Sequence, residues 1–438
     1  MDALSKLREG GFRGARRLNL RCGLETFPPE IYELADTLEI LDLSGNRLSG
    51  LPDDLHRLGK LRILFCSDNA FEHLPEALGK CDSLEMVGFK ANRIATVSAK
   101  SLPARLRWLI LTDNAIATLP REIGNCDRLQ KLMLAGNRLE SLPDSLAACH
   151  RLELLRISAN RLAALPEWLF DLPRLSWLAY AGNPFCSEVR EAAPVVPWNR
   201  LSIGEKLGEG ASGVIHLAKW GGREVAVKLF KGSVTSDGLP ASEMSACLRA
   251  GSHPNLIGVL GRIDGHPERL EGLVLSRVSE DYANLAGPPS LESCTRDVYP
   301  EHAAFSLPTL LELARGIANA AAHLHGRGIL HGDLYAHNIL HCNSGHALLG
   351  DFGAASFIVP EHSAALERIE ARAFSWLLEE LTERCEDPVP EALTDVQARC
   401  RHAETPSFRE IAAFLDEIRP PCASLPPRGR DAGLFPPF

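Results

Sequence analysis

Gly208, Gly210 and Gly213 stand in the spacing G-x-G-x-x-G, and Lys228 follows twenty residues after the first of them. Glycines let backbone amides approach an anion closely, and a nearby lysine adds a cation, so the set suits phosphate. The glycine spacing alone does not choose a fold, because dinucleotide-binding proteins use it where a helix follows at once. Here KLGEGASGVIHLAKWGGREVAVKLF reads as strand, glycine-rich turn, strand, turn, strand, so a second strand follows the glycines instead.

With Lys228 in V-A-V-K, this segment resembles the nucleotide-binding lobe of the protein-kinase family. The family's other pieces follow in order: Glu243 in SEMSACLRAGSHPNLI, then His331, Asp333 and Asn338 in HLHGRGILHGDLYAHNIL, then Asp351-Phe352-Gly353. A lone Asp-Phe-Gly or Val-Ala-Val-Lys is ordinarily a turn or a strand; five pieces in order over the 146 residues from Gly208 to Gly353 are not. The resemblance covers about residues 200–420 and implies an α+β bilobal fold that uses ATP and Mg2+. It implies that Glu243 holds Lys228 against the α- and β-phosphates, and that Asp333 orients an acceptor hydroxyl and takes its proton. Asn338 and Asp351, two hard oxygen donors, would hold the Mg2+. Leu207, Val214, Ala226 and Leu340 would sandwich the adenine, with Leu275 as gatekeeper before a hinge at Ser276 to Val278.

The sequence departs from that family in four places. Gly332 replaces the arginine before the catalytic aspartate, so activation-loop phosphate loses its usual partner. Only nineteen residues separate Asp351 from Glu370, the acid expected in the following buried helix, and no A-P-E lies between. The arginine that A-P-E pairs with is absent too, since the stretch reads Thr405-Pro406-Ser407-Phe408; losing both partners together strands no buried charge. Tyr335 and His337 stand where serine/threonine kinases have lysine and tyrosine kinases have arginine. The acceptor type stays open, with serine or threonine preferred to tyrosine.

The elements before this domain follow a repeat. The unit L-x-x-L-x-L-x-x-N-x-[LIF] starts at Leu38 and restarts at Leu61, Leu84, Leu106, Leu129, Leu152 and Leu175, with Asn46, Asn69, Asn92, Asn114, Asn137, Asn160 and Asn183 in phase. A degenerate unit with Gly23 at the asparagine position precedes them. The L-x-L step is a strand period, so alternating leucines build a shared core and each asparagine satisfies backbone groups of the bend. One unit cannot bury its own face, so the array must stack. The segment resembles the leucine-rich-repeat family over about residues 15–190, which implies an α/β solenoid with a concave strand face. Two columns face that surface: Ile40, Ile63, Met86, Trp108, Lys131, Leu154, Trp177, and Asp42, Phe65, Gly88, Ile110, Met133, Arg156, Ala179. The apolar stripe of Ile63, Phe65, Trp108, Ile110, Met133, Leu154 and Trp177 is expected to bind a protein partner or substrate, or to be covered by the chain's own second domain.

The expected layout is a solenoid over 1–190, a proline-bearing linker over 191–199, the kinase-like domain over 200–420 and a disordered proline-rich tail over 421–438. Residues Glu280 to Phe305 read as an insertion after the hinge. A net charge of −9 with 45% apolar residues excludes a general nucleic-acid or membrane-surface binder. No apolar run reaches a membrane span and no signal peptide opens the chain, so a cytoplasmic location is expected. The twelve scattered cysteines read as reduced structural thiols, and the pairs His323/His325 and His341/His346 as structural rather than metal-binding. Scarce lysine beside arginine, in an Ala/Leu-rich chain, suggests a GC-rich, bacterial source, so the resemblance extends to bacterial leucine-rich-repeat kinases. Three functions compete: a protein kinase whose solenoid presents the substrate, a scaffold with an ATP-binding pseudokinase domain, and a kinase-fold phosphotransferase for a small molecule.

Overall fold

The computed structural model describes residues 3–186, 194–210, 212–231, 234–402 and 404–418. A short helix, α1 (Ala3–Arg8), precedes eight three-residue strands: β1 (Arg17–Asn19), β2 (Ile40–Asp42), β3 (Ile63–Phe65), β4 (Met86–Gly88), β5 (Trp108–Ile110), β6 (Lys131–Met133), β7 (Leu154–Arg156) and β8 (Trp177–Ala179). They form one parallel sheet in chain order. The register advances by whole repeats, Leu132 against Leu155 and Leu155 against Leu178, so the leucines stack into one core. The asparagines act as the repeat pattern requires. Asn160 donates to the carbonyls of Leu134 (3.0 Å) and Ile157 (3.1 Å) and accepts from the Leu139 amide at 3.0 Å. Most units return through a short 3₁₀ helix that begins after a proline, where a missing N–H costs nothing; the helices after Asp54 and Ser98 are the exceptions. Cys81, Cys126 and Cys149 close three of these turns as buried free thiols.

The second domain opens with β9 (Val195–Pro197), β10 (Leu201–Glu209), β11 (Gly213–Trp220), β12 (Arg223–Phe230), helix α2 (Pro240–Ala250), β13 (Val259–Asp264) and β14 (Gly272–Ser276). Its sheet has the order β10-β11-β12-β14-β13-β9. Strand β9 lies inside the expected linker, yet it pairs in parallel with β13. As an edge strand it tolerates Pro197. Residues 187–193 and the expected tail fall outside the described residues.

The larger lobe contains β15 (Ala283–Asn284), α3 (Leu307–Gly326), β16 (Ile329–Leu330), β17 (Ile339–His341), β18 (Ala347–Leu349), β19 (Ser356–Phe357), α4 (Ser363–Thr382), α5 (Glu391–Arg399) and α6 (Phe408–Glu417). Ser306 caps α3, and Ser407 with Glu410 forms a capping box on α6. Helix α3 buries Leu310, Leu311, Ala314, Ile317 and Ala321 at helical spacing and is the lobe's centre.

The two domains share their cores. Met133, Leu154 and Trp177 of the solenoid pack into the helical lobe's hydrophobic cluster, with Trp108 and Ile110 against it. Leu330, Leu366 and Ile369 of the lobe pack into the solenoid's cluster. Ile63 and Phe65 pack around Cys294 and Leu291 of the post-hinge insertion. The stripe expected to face an outside partner is therefore covered by the chain's own second domain. Trp177 is 1% exposed and Leu154 3%. The insertion supplies polar contacts as well: Lys131 Nζ donates to the Cys294 carbonyl at 3.1 Å, and Arg296 pairs with Glu153 at 3.2 Å.

Candidate active site

Strands β10 and β11 bring the glycine-rich turn over one end of the sheet. A Cβ on Gly213 would lie 2.5 Å from the Leu229 carbonyl oxygen, so this strand crossing requires glycine. Around Gly208 and Gly210 there is open space. On β12, Lys228 bonds Oε1 of Glu243, which α2 delivers into the same cleft with 2% of its surface exposed. Burial pulls the Lys228 ammonium down, but the Glu243 and Asp351 carboxylates outweigh it, so the lysine is held charged above its ordinary range.

One cavity runs between these parts. It is lined by Gly210, Ser212 and Gly213 of the turn, Lys228, Glu243, Leu275, and Asp351 to Gly353. Ile215, Cys247, Ile257, Val259 and Leu273 complete its apolar wall. The expected adenine residue Val214 belongs on the other face of β11: Gly213 and Ile215 line the cavity, and alternate residues of a strand point apart. The signal was present in G-x-G-x-x-G-x-V, whose last position is Ile215. Ala226 pairs with Leu275 across the β12–β14 ladder. Leu207, half-exposed, and Gly208, Ala226, Val278 and Leu340 lie outside this lining.

The loop that carries His331, Asp333 and Asn338 follows β16. The Asp333 amide donates to His331 Nδ1 at 3.3 Å, so the other ring nitrogen carries the proton and donates to the Gly350 carbonyl at 2.9 Å. His331 also meets the Phe352 ring edge-on, at 5.2 Å between centroids. This ties the loop to Asp351-Phe352-Gly353. Asp351 has φ 50°, and its Oδ1 accepts from the Gly353 amide at 3.1 Å. Asn338 Nδ2 donates to both the Asp333 carbonyl and Oδ2, each at 2.9 Å. Its donors are thus spent within the loop, and its amide oxygen is the atom suited to a cation. Among the described residues no group of three or more His, Cys, Asp or Glu could hold a metal alone. Asn338 and Asp351 fit an ion that arrives with its own phosphate ligands.

Glu370 sits where the short activation segment predicts it, although α4 starts seven residues earlier, at Ser363. It accepts the Gly332 amide at 2.7 Å and binds His325 at 2.5 Å. His325 is therefore structural, as is His346, whose Nδ1 bonds the Tyr282 hydroxyl at 2.8 Å.

Two contacts between the domains were not foreseen from the sequence. Arg156 of β7 donates from Nε to Asp237 at 2.8 Å, from Nη1 to the Gly332 carbonyl at 2.9 Å, and from Nη2 to Asp333 Oδ1. Trp177 lies flat on Tyr335, 4.1 Å between centroids and 8° between planes, and its Nε1 donates to the Leu334 carbonyl at 3.0 Å. Arginine in an otherwise largely apolar concave column was the available cue for the first.

Comparison with known proteins matches residues 201–375 to the family described as "Protein kinase domain". Residues 37–58, 104–162 and 127–185 match leucine-rich-repeat families. Fibroblast growth factor receptor 1 of Pleurodeles waltl is 29% identical over 199 residues, which cover 41% of this chain and 24% of that protein. A probable serine/threonine-protein kinase of Dictyostelium discoideum is 30% identical over 162 residues, 36% of this chain and 9% of that one. The chain thus spans a minor part of the length of these relatives. A solved structure, an LRR protein of Leptospira interrogans, aligns with TM-score 0.38 and 27% identity over 41% of this chain and 52% of that one.

Proposed function

We propose that this chain, which carries leucine-rich repeats N-terminal to a protein kinase domain, is an ATP-dependent kinase that phosphorylates a protein hydroxyl, serine or threonine in preference to tyrosine. The observation that carries this reading is the convergence of Lys228–Glu243, Asp351 and Asn338–Asp333 around one cleft. In it, the glycine-rich turn covers the phosphates, and Lys228, kept charged by Glu243, holds the α- and β-phosphates. Asn338 and Asp351 hold Mg2+, which supplies charge neutralisation when bound. Asp333 orients the acceptor hydroxyl and receives its proton. The proposed domains span 1–190 and 200–420. Buried free thiols suit a reducing compartment and support a cytoplasmic location. No helix among the described residues is long and apolar enough to cross a membrane. A protein partner of the concave face would have to compete with the kinase domain for Trp108, Ile110 and Trp177.

Incubating the full chain with labelled ATP, Mg2+ and candidate acceptors, including itself, tests the reading. Lys228→Met and Asp351→Asn should each lower transfer about 10²-fold or more, and equal transfer by wild type and Asp351→Asn would remove the claim. A second reading, a nucleotide-binding scaffold without transfer, draws support from the Arg156 bond to Asp333; saturable ATP binding with no turnover in any variant selects it. A labelled metabolite in place of labelled protein selects a small-molecule phosphotransferase.

A further inference from the structure

Arg156 is a fully buried cation, its side chain 1% exposed, contributed by one domain to the catalytic loop of the other. Burial opposes its charge, but the carboxylates of Asp333 and Asp237 more than restore it, so it stays protonated. The carboxylate assigned as base meets two donors: Oδ1 is held by Arg156 and Oδ2 by Asn338. An acceptor hydroxyl must donate to that same carboxylate from about 3 Å away, and the guanidinium occupies that approach.

The rest of the acceptor side is covered by the next strand of the solenoid. Trp177 stacks on Tyr335 and bonds the Leu334 carbonyl. The Leu178 carbonyl oxygen lies 2.5 Å from where a Cβ on Gly332 would be. Loop residues 332–335 are thus met in succession by Leu178, Arg156 and Trp177, from adjacent strands β7 and β8. The nucleotide side differs. Neither Arg156 nor Trp177 lines the cavity around Lys228 and Asp351; Arg156 reaches it only through Asp237, which its Nε holds at 2.8 Å, and the Lys228–Glu243 bond is in place.

We propose that the solenoid is an intramolecular pseudosubstrate, with Arg156 and Trp177 filling the protein-acceptor site of a domain that can still bind ATP. This regulation rests on the phosphotransferase reading above. Arg156 marks the position of the acceptor hydroxyl, and Trp177 that of its flanking chain. Phosphate reaches a protein acceptor when these two side chains are withdrawn. The shared cores of the two domains hold them in place, so withdrawal requires a ligand that binds the open arrangement in preference to the closed one.

The test uses the full chain. Transfer from labelled ATP with Mg2+ to a mixture of dephosphorylated casein and a glutamate–tyrosine copolymer is measured beside ATP affinity for wild type, Arg156→Gln and Trp177→Ala. Arg156→Gln is expected to transfer at least about tenfold faster with ATP affinity unchanged within about twofold, Trp177→Ala to gain less because Arg156 stays on Asp333, and Arg156→Gln combined with Asp333→Asn to fall back to background. Slower or unchanged transfer in Arg156→Gln at retained ATP affinity overturns the latch: the arginine then supports the base or is inert. Wild type as fast as Arg156→Gln overturns the latch and leaves the kinase reading standing. ATP binding without transfer in every protein overturns both.

A measurement on the unaltered chain covers a variant that does not fold. Amides 332–336 should exchange slowly whether or not acceptor is added. Further protection of them by acceptor, with Arg156 in place, overturns the proposal.

Discussion

The carbonyl oxygen of Leu178 points at Gly332 so closely that a side chain there would begin 2.5 Å away. Gly332 also holds φ +74°. The glycine in place of an arginine before Asp333 therefore has a structural counterpart, since the last strand of the solenoid passes through the space such a side chain would need. Gly332→Ala should destabilise the chain by roughly 1–3 kcal/mol, from left-handed backbone strain and the contact together. Chemical denaturation checks this, and a neutral result would mean that the two domains do not sit this close in solution.

His325 is buried against two carboxylates. Burial lowers its affinity for a proton, but the Glu367 carboxylate 3.6 Å from Nδ1 and the hydrogen bond to Glu370 outweigh that and raise its pKa to about 9. The folded value lies above the unfolded one, so the stabilisation is complete below the ordinary histidine range and is lost as pH rises toward 9. At most it amounts to about 3 kcal/mol. In His325→Gln, the fall in stability between pH 6 and pH 9.5 should become shallower, as followed by thermal melts.

Glu380 is the opposite charge with the same direction of pH response. Burial, then repulsion from Asp297, raises it to about 8, and the Tyr299 hydroxyl bonds its carboxyl at 3.2 Å. The folded chain keeps this proton after the unfolded chain has released it, so stability falls from the ordinary carboxylate range up to pH 8. Glu380→Gln should raise Tm by a few degrees at pH 8.5 and change it little at pH 4.5. A gain of equal size at both pH values would show that packing, not ionisation, is responsible.

The repeat asparagines are the fourth target. Asn160 is 6% exposed and serves the backbone of two adjacent turns. Asn160→Ala leaves a buried amide and two buried carbonyls without this partner and should cost on the order of 3 kcal/mol or more, at about one to three for each unsatisfied group. Replacing partly buried Asn69, which serves the N-terminal turns, should cost less. Urea midpoints for the two variants provide the comparison.

What could be read from the residues was what repeats or what is local. Asparagines in a 22- or 23-residue phase fix the stack, because one side chain per turn must satisfy one bend. Lys228, Glu243, Asp333, Asn338 and Asp351 stand in short motifs whose order survives without any knowledge of packing. The contacts of Arg156 left no such trace: it meets Asp237 and Asp333, 81 and 177 residues further on, and no periodicity links them. Apolar residues on the concave face announced that something covers them but not what, since burial against a partner and against the same chain demand identical chemistry. Val195–Pro197 read as linker because Pro197, with Pro194 just before the strand, masks a strand that only an edge position permits. Val214 was a slip of one residue, and in a strand one residue is a change of face.

Because Trp177 belongs to the lobe's interior and Leu366 to the solenoid's, neither half owns a finished surface where they meet. Cutting the chain near residue 190 would lay bare two sticky apolar faces, so fragments should aggregate where the intact chain stays dispersed. The same property forbids modular exchange: this solenoid cannot be grafted onto another catalytic domain, or this domain onto another recognition module, without rebuilding the seam from both sides.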